Sequence, residues 1–398
     1  MATMQQALTA LLQAAKTITG SEKVSTLHAN GRVLAADISA PFDVPGEDNS
    51  QMDGYALDSS CAQSDTPIRV SQRIAAGHIG VNLQAGTAAR IFTGAVIPLG
   101  ADAVVMQEQC EVLDNGNAIL LKHVPQPGEW VRRSGEDIRN HSIILTAGTR
   151  IRAQEAGLAA SVGLAELPVQ RRLKVAVFFT GDELIMPGEP LPTGAVYNSN
   201  RYLLRALLEN YGCLVDDYGI VPDSLAATRS ALRQAAAEHD VVITCGGVSV
   251  GEEDHVKQAV QAEGKLTLWQ IAIKPGKPLA FGEVGAAFFL GLPGNPVSGF
   301  VTFLLFVRPF LLRLQGVADV TPRSYSVRAD FSWTRPDRRN EFLRARLNGN
   351  GGLDLFPNQG SAVLSSVVWG DGLIDNPPGT VIQPGDLVRF IPFSELMA

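Results

Sequence analysis

Between residues 173 and 315, the sequence repeats one arrangement five times: a short apolar run leads directly into a loop rich in glycine or proline. Helical patterns of about 10–15 residues separate several of these runs, which predicts βαβ units and a parallel sheet. In such a sheet, ligands bind in the crevice beyond the carboxyl ends of the strands. The loops therefore predict a ligand site at one edge of an α/β domain. The five runs are LKVAVFF (173–179), CLVDDYGIV (213–221), DVVITC (240–245), LTLWQIAI (266–273) and AAFFLG (286–291).

Length and charge limit the remaining possibilities. A chain of 398 residues is too long for one core and suggests two to four domains. Its net charge of −7 argues against nucleic acid as a partner, and its four cysteines form no CxxC pair. The N-terminus lacks the apolar core of a signal peptide, and Arg308, Pro309 and Arg313 interrupt the longest apolar stretch. We therefore expect a cytoplasmic protein without a membrane partner.

The flanking regions differ from the α/β segment. An amphipathic helix opens the chain, with apolar residues at helical spacing: Leu8, Leu11, Leu12, Ala15 and Ile18. Short β-like runs follow turn residues at 40–140 and again at 322–398, which predicts two β-rich modules. Within the α/β segment, Ser224 is a predicted N-cap, and Gly212 is predicted to end the preceding helix.

The loop GGVSVGEED has the composition of an anion site. Gly246 and Gly247 permit positive φ and let backbone N–H groups point into a concavity, and Ser249 adds a hydroxyl. A helix that begins after the loop would add partial positive charge. A tight strand-to-helix turn without ligand would have the same composition, so the loop alone leaves both interpretations open.

Three carboxylates follow three different strands: Glu183, Asp223 and Asp254. Convergence of such groups in one crevice would hold a hard cation such as Mg²⁺, with water and phosphate as its other ligands. For any one of them alone, a solvated surface charge is the simpler interpretation. Their common position at strand ends is what favours a shared metal site.

Two further loops carry candidate anion ligands. Lys274 and Lys277 bracket a Pro-Gly pair, and prolines on both sides cost backbone donors beside a sheet, which is unusual for a merely solubilising loop. The segment LPGNPVS, with Pro293, Pro296 and Ser298, opens the long apolar helix 297–315. Its first turn has unpaired N–H groups.

These loops and their flanking segments resemble those of the molybdopterin molybdenumtransferases, the family that includes a domain of gephyrin. The matching segments stand in family order along nearly the whole chain: DVPGEDNSQMDGYA, RIFTGAVIPLGADAVVMQE, RRSGEDI, FFTGDEL, CGGVSVGEED, IKPGKPLAFG and GLPGNPVS. The resemblance implies a homodimer whose site is shared between subunits. It also implies a central, doubly wound, mostly parallel α/β domain, an inserted β-rich module, a split, partly helical segment and a C-terminal β-barrel. We place these at 173–321, at 40–140, at 1–39 plus 141–172, and at 322–398.

The implied reaction starts from adenylylated molybdopterin and molybdate. It cleaves the adenylate in a Mg²⁺-dependent step and leaves molybdenum on the dithiolene sulfurs. Family positions assign the metal to Glu183, Asp254 and Asp223. They assign the pterin phosphate and molybdate to a set that includes Lys274, Lys277, Gly246, Gly247, Ser249, Pro293, Pro296 and Ser298.

Other family positions lie outside the α/β segment. Arg344 and Ser361 resemble residues that complete the oxyanion pocket, and Asp53 and Thr93 resemble residues that close over the site from the partner subunit. Asp137 matches a further acid of the substrate-binding set, in a supporting or structural role. One departure is Gln270, where some members carry lysine.

Two alternatives remain at the level of sequence. The α/β domain also resembles that of molybdopterin adenylyltransferases, but the flanking modules favour molybdenum transfer. A scaffold that binds molybdopterin without turnover is the other alternative, and the three strand-end acids with two lysines favour catalysis. A molybdopterin adenylyltransferase and cofactor-accepting enzymes are the partners that this function implies.

Overall fold

The structure is a computed structural model that describes residues 1–18, 20–248 and 255–397. The chain forms two compact units. The first comprises residues 1–36, 147–153 and 166–398, and the second comprises 37–146 and 154–165. The finer division into four domains stays a prediction.

The α-helices in the described residues are α1 (Met4–Ala14), α2 (Ala153–Ser161), α3 (Ser199–Asn210), α4 (Leu225–Glu238), α5 (His255–Glu263), α6 (Pro296–Thr302), α7 (Arg308–Leu314), α8 (Ser365–Trp369) and α9 (Phe393–Met397). The strands up to the central sheet are β1 (Ser21–Ser25), β2 (Ile38–Ser39), β3 (Asn49–Ser50), β4 (Gly54–Leu57), β5 (Ile68–Ile74), β6 (Thr87–Ile91), β7 (Ala103–Met106), β8 (Cys110–Leu113), β9 (Ala118–Leu121), β10 (Val131–Arg132), β11 (Ile143–Leu145) and β12 (Glu166–Gln170). The remaining strands are β13 (Lys174–Phe179), β14 (Leu184–Ile185), β15 (Val196–Tyr197), β16 (Leu214–Ile220), β17 (Val241–Cys245), β18 (Gly264–Gln270), β19 (Ile273–Lys274), β20 (Pro278–Val284), β21 (Ala287–Leu292), β22 (Tyr325–Arg328), β23 (Asn340–Leu347), β24 (Leu353–Leu355), β25 (Gly372–Asn376) and β26 (Leu387–Pro392).

The central sheet of the first unit has the strand order β16-β13-β17-β21-β20-β18. Its first four strands pair in parallel, as the sequence predicts, whereas β20 pairs antiparallel with both β21 and β18. Only Gly285 and Ala286 separate β20 from β21, and a connection this short can join antiparallel strands alone. Because β18 therefore runs in the direction of β21, the carboxyl ends of β13, β17, β18 and β21 meet at one edge.

The helices begin at side chains suited to capping. Ser224 accepts a hydrogen bond from the N–H of Ala227 at the start of α4, which confirms the predicted N-cap. Asn198 caps α3 in the same way, and Thr3 with Gln6 forms a capping box at α1. Helix α1 ends at Ala14 and does not reach Ile18, which the apolar spacing had included.

The helix that begins at Pro296 and runs to Leu314 lies at the centre of the first unit. It is the one helix in the described part of the chain that is long and apolar enough to cross a membrane, but 94% of it is buried in the protein. A π-helical stretch, Phe303–Val307, separates α6 from α7 just before Pro309. Proline lacks an N–H and clashes with the carbonyl four residues earlier, so a locally wider helix accommodates it.

Aromatic rings surround this helix on different sides. Phe310 contacts Phe281 and Phe288 of the central sheet edge-to-face, at centroid distances of 5.4 and 5.1 Å. Phe300 contacts Phe393 of α9 at 5.4 Å, so the same helix joins the central sheet to the C-terminal segment. The resulting core is continuous from α1 to α9.

The C-terminal segment forms a mixed sheet with the order β19-β23-β25-β26-β22, in which β24 also pairs with β23. Its first strand, β19, comes from the α/β segment rather than from the C-terminal residues. The apolar run LTLWQIAI is thus not one strand, since β18 ends in the central sheet and β19 belongs to the C-terminal sheet.

The second unit contains a six-stranded sheet with the order β7-β4-β6-β5-β9-β8. Its strands are antiparallel neighbours except for the parallel pair β5 and β6. Two small apolar clusters, one on each side of β4 and β6, form its core. This architecture agrees with the β-rich character predicted for 40–140.

A charged group fixes the start of two neighbouring strands in the central sheet. Asp240, just before β17, accepts hydrogen bonds from both terminal nitrogens of Arg171, at 2.9 and 2.7 Å, and from the N–H of Lys174 at 2.8 Å. Burial alone would raise the pKa of Asp240, but these donors lower it below its usual value. The folded state is therefore stabilised by the ionised carboxylate.

We predict that Asp240→Asn lowers the free energy of unfolding by about 1–3 kcal/mol at pH 7. Because the folded-state pKa is lowered, this contribution is present above the unfolded-state pKa of about 3.9 and is lost as the pH falls through the folded-state value. Thermal unfolding of the original protein and of Asp240→Asn should show that their difference in stability becomes smaller as the pH is lowered from 7 to 3. Glu209→Gln, which breaks a half-exposed pair with Arg205, is the control and should cost about 0.5 kcal/mol or less. A difference that does not change with pH would contradict the assignment.

Candidate active site

A cleft of about 990 Å³ lies in the first unit, at the edge where the strands of the central sheet end. The loops after β13, β16, β17 and β21 line it, together with the loop before β20. The structure thus brings together most of the residues predicted for the site within the α/β segment and one from the C-terminal segment. They are Glu183, Asp223, Gly246, Gly247, Lys274, Lys277, Pro293, Pro296, Ser298 and Ser361. Ser249 and Asp254 lie outside the described residues.

Two glycines allow the loops to approach each other closely. Gly246 has a φ of +100°, and a Cβ atom there would lie 2.3 Å from the carbonyl oxygen of Thr180. Gly276 has a φ of +111°, and a Cβ atom there would lie 2.4 Å from the hydroxyl of Thr302. Any other residue at either position would push apart two walls of the cleft.

The two described carboxylates differ in their surroundings. Glu183 is exposed, whereas Asp223 is half-buried and accepts a hydrogen bond from the buried Thr180 hydroxyl at 3.2 Å. Among residues 1–18, 20–248 and 255–397, no group of three or more His, Cys, Asp or Glu side chains could hold a metal ion. Two carboxylates nevertheless fit Mg²⁺, which proteins commonly bind through one or two carboxylates plus substrate phosphates and water.

The two lysines of the cleft also differ. The Lys274 ammonium donates to Glu341 at 3.1 Å and lies 3.6 Å from Asp337. Lys277 is exposed, and in the described part of the chain its ammonium has no hydrogen-bond or ion-pair partner. Lys277 is therefore the cation of this loop that is available to an anion.

The C-terminal segment supplies one wall of the cleft, and the sequence predicts only part of it. Arg339 lines the cleft beside Gln359, Gly360 and Ser361. The carbonyl of Ser361 accepts from the N–H of Val297 in the first turn of α6 at 3.0 Å, which holds Ser361 against the helix start. No pattern in the sequence identifies Arg339, because it reaches the cleft through strand pairing with a distant segment.

Arg344, predicted to contact the oxyanion, is fully buried and is not among the residues that line the cleft. Its guanidinium donates to the Ser366 hydroxyl and to the carbonyls of Phe342 and Gly360, at 3.1, 3.1 and 3.2 Å. Burial lowers the pKa of Arg344 to about 10. In this structure Arg344 supports the loop that carries Ser361; its direct contact with the oxyanion stays a prediction.

Another part of the wall uses neutral groups. Asn200 donates to the Gly294 carbonyl at 2.7 Å, and the Cys245 thiol donates to the Pro293 carbonyl at 3.0 Å. Burial raises the pKa of Cys245 to about 12, so this thiol is protonated. These two side chains hold the loop after β21, and no pattern in the sequence predicts this role for them.

The other predicted residues belong to the second unit. The N–H and hydroxyl of Thr93 both donate to one carboxylate oxygen of Asp53, at 2.9 and 2.8 Å. These hydrogen bonds keep the pKa of Asp53 below its usual value. Asp137 lies beside a concavity of about 510 Å³ that is also lined by Arg132 and Glu136.

Comparison with known proteins gives matches along the whole chain. The family model described as MoeA N-terminal region (domain I and II) matches residues 2–163. The model of a probable molybdopterin binding domain matches 176–313, and that of the MoeA C-terminal region (domain IV) matches 326–393.

Individual proteins match over their full length. A molybdopterin molybdenumtransferase of Haemophilus influenzae is 38% identical and is covered, like this chain, to 100%. Molybdopterin molybdenumtransferase 2 of Mycobacterium tuberculosis is 35% identical, with 96% of this chain and 98% of that protein covered. The crystal structure of the molybdopterin biosynthesis protein MoeA from Pyrococcus horikoshii has a TM-score of 0.85 at 28% identity, over 98% of this chain and 100% of that one. The multidomain fold class predicted from the sequence is confirmed, and the chain belongs to the molybdopterin molybdenumtransferase family.

Proposed function

We propose that this protein inserts molybdenum from molybdate into adenylylated molybdopterin and releases AMP. The observation that carries the proposal is the cleft, which combines two carboxylates, one available ammonium group and tight glycine turns in a chain that matches molybdenumtransferases throughout. Such a cleft offers carboxylates to a bound cation and an ammonium group to the anionic substrates. The cytoplasmic location expected from the sequence stays a prediction.

The carboxylates of Glu183 and Asp223 would hold Mg²⁺, with Asp254 as the third predicted ligand. When bound, Mg²⁺ supplies positive charge that neutralises the phosphoanhydride of the adenylate. Thr180 keeps Asp223 oriented through its hydrogen bond, so this carboxylate is preorganised on the cleft wall. Glu183 is exposed on the cleft wall and would supply the second carboxylate.

The anionic groups of the substrates require cations and N–H donors. Lys277 contributes its ammonium, and Ser298 and Ser361 contribute polar groups at the start of α6. Lys274 and Arg339 carry charges already matched by Glu341 and Asp337. Lys277 would therefore bind the anionic groups, whereas Lys274 and Arg339 form part of the wall of the cleft.

The direct test is AMP release from adenylylated molybdopterin by the purified protein with Mg²⁺, with and without molybdate. We expect molybdate-dependent release of AMP together with active cofactor. Tight binding of the adenylate without release would contradict the proposal and identify a carrier. Formation of the adenylate from molybdopterin and ATP would instead identify an adenylyltransferase.

Glu183→Gln should lower the rate of AMP release at least 100-fold, because it removes one charge from the metal site. The side chain is exposed, so the melting temperature should stay within about 2 °C of the original protein. Asp182→Asn is the matched control, since Asp182 is the adjacent exposed acid and does not line the cleft. Equal rates for Glu183→Gln and Asp182→Asn would remove Glu183 from the site.

We further propose that Asp53 and Thr93 act on the cleft of the partner subunit in a homodimer. The observation is the half-buried Asp53 carboxylate, which accepts two hydrogen bonds from Thr93 and lies in the unit that does not contain the cleft. Asp53→Ala and Glu183→Ala should each be inactive as homodimers. A heterodimer of the two variants has one intact site out of two. It should therefore recover up to about half of the activity of the original dimer. Heterodimers that are shown to form and stay inactive would place both residues in one subunit's site.

A further inference from the structure

The loop that carries both lysines is attached to two sheets. The chain leaves the central sheet at Gln270, pairs with the C-terminal sheet through β19 and returns to the central sheet at Pro278. In the parallel pairing, Ile273 lies opposite Asn340 and Lys274 lies opposite Glu341. The N–H of Asn340 also donates to the carbonyl of Ala272 at 3.1 Å. The loop is therefore held by β23 as well as by Ala2, whose backbone bonds to Gln270 and Ala272.

Glu341 is the centre of this attachment. It is fully buried and accepts hydrogen bonds from the Lys274 ammonium at 3.1 Å, the Trp333 indole at 2.9 Å and the N–H of Asp337 at 3.0 Å. The side-chain amide of Asn376 lies at 3.5 Å. A buried carboxylate is tolerated when it is paired and hydrogen-bonded, and Lys274 is the one cation among these donors.

The neighbouring charges are also matched. The guanidinium of Arg339 donates to both carboxylate oxygens of Asp337, at 3.0 and 2.8 Å. This pairing holds the pKa of Asp337 well below its usual range. Two acids and two bases thus form a neutral block in the wall of the cleft. The Lys274 ammonium is committed to this block.

A tightly packed turn joins Lys274 to Lys277. Pro275 and Gly276 are buried, and Gly276 packs against Thr302 of the core helix with no room for a side chain. Lys277 follows directly and is exposed to the cleft. The carbonyl of Lys277 accepts from the N–H of Ile271 at 2.9 Å, so the Lys274–Glu341 contact is one of several contacts that set where Lys277 lies.

We propose that Glu341 is a positioning residue for molybdenum transfer: by holding Lys274 in the C-terminal sheet, it places the Lys277 ammonium where molybdate binds. This inference rests on the function proposed above. It assigns a role in the reaction to a buried residue that does not touch the substrate. It also makes the C-terminal sheet part of the active-site framework.

The test is Glu341→Gln, which keeps the size of the side chain and removes its charge. We expect the KM for molybdate in AMP release to rise at least tenfold, as in Lys277→Gln, with a smaller change in kcat. If Lys274 bound molybdate directly, release from Glu341 would free a second cation and the KM would fall. An unchanged or lower KM therefore overturns the proposal.

Asp354→Asn controls for a general loss of stability. Asp354 lies on β24 of the same sheet, is half-buried, and contacts Asn348 and Arg346 instead of Lys274. We expect its melting temperature to fall while its KM for molybdate stays within twofold of the original value. A tenfold rise in this control as well would overturn the proposal, since the effect would then reflect unfolding of the sheet.

The double variant Lys274→Met with Glu341→Gln removes both charges together and serves if Glu341→Gln alone does not fold. We expect its KM for molybdate to equal that of Lys274→Met, because the two residues act as one unit. A KM equal to the product of two independent effects would overturn the proposal. If the original protein itself releases no AMP with molybdate, the proposed function fails first, which distinguishes that outcome from failure of Glu341 alone.

Discussion

The fold of the first unit depends on burying one helix on all of its sides. The helix from Pro296 to Leu314 is strongly apolar and almost entirely buried, and a helix this apolar is stable in water only when it is covered on most of its sides. The central sheet covers one side through Phe310, and α9 covers another through Phe300. The C-terminal segment is therefore required by the core, independently of any part it takes in the reaction.

This requirement also determines where the cleft can form. The helix starts at the edge where the strands end, so its first turn and the two sheets that cover it converge at the same place. Ser361 is bonded to that first turn, and β19 pairs with β23 nearby. A cleft between polar loops is the consequence of packing two sheets on one helix whose end stays accessible.

The sequence predicts the local features of this arrangement well. Strand ends, the Ser224 cap and the start of the core helix follow from short-range patterns, and the glycine turns follow from backbone sterics. The pairing of β19 with β23 does not, because it joins two residues to a strand 67 positions away. Glu341 and Arg339 consequently escape sequence analysis, although both belong to the wall of the cleft or its support.

The charges of the cleft show how an acidic protein would accommodate the two anionic substrates of the proposed reaction. Like charges about 4 Å apart repel by roughly 4 kcal/mol near a protein surface, so molybdate cannot bind beside Glu183 and Asp223 without compensation. A cation that is paired with a buried acid attracts an anion only weakly, because the neighbouring negative charge cancels most of its field. Lys274 pairs with Glu341, and Arg339 pairs with Asp337, so these four charges neutralise one another. Among the described residues, Lys277 remains as the unpaired positive group of the loop. In the proposed reaction, Lys277 would therefore be the group of this loop that attracts the oxyanion.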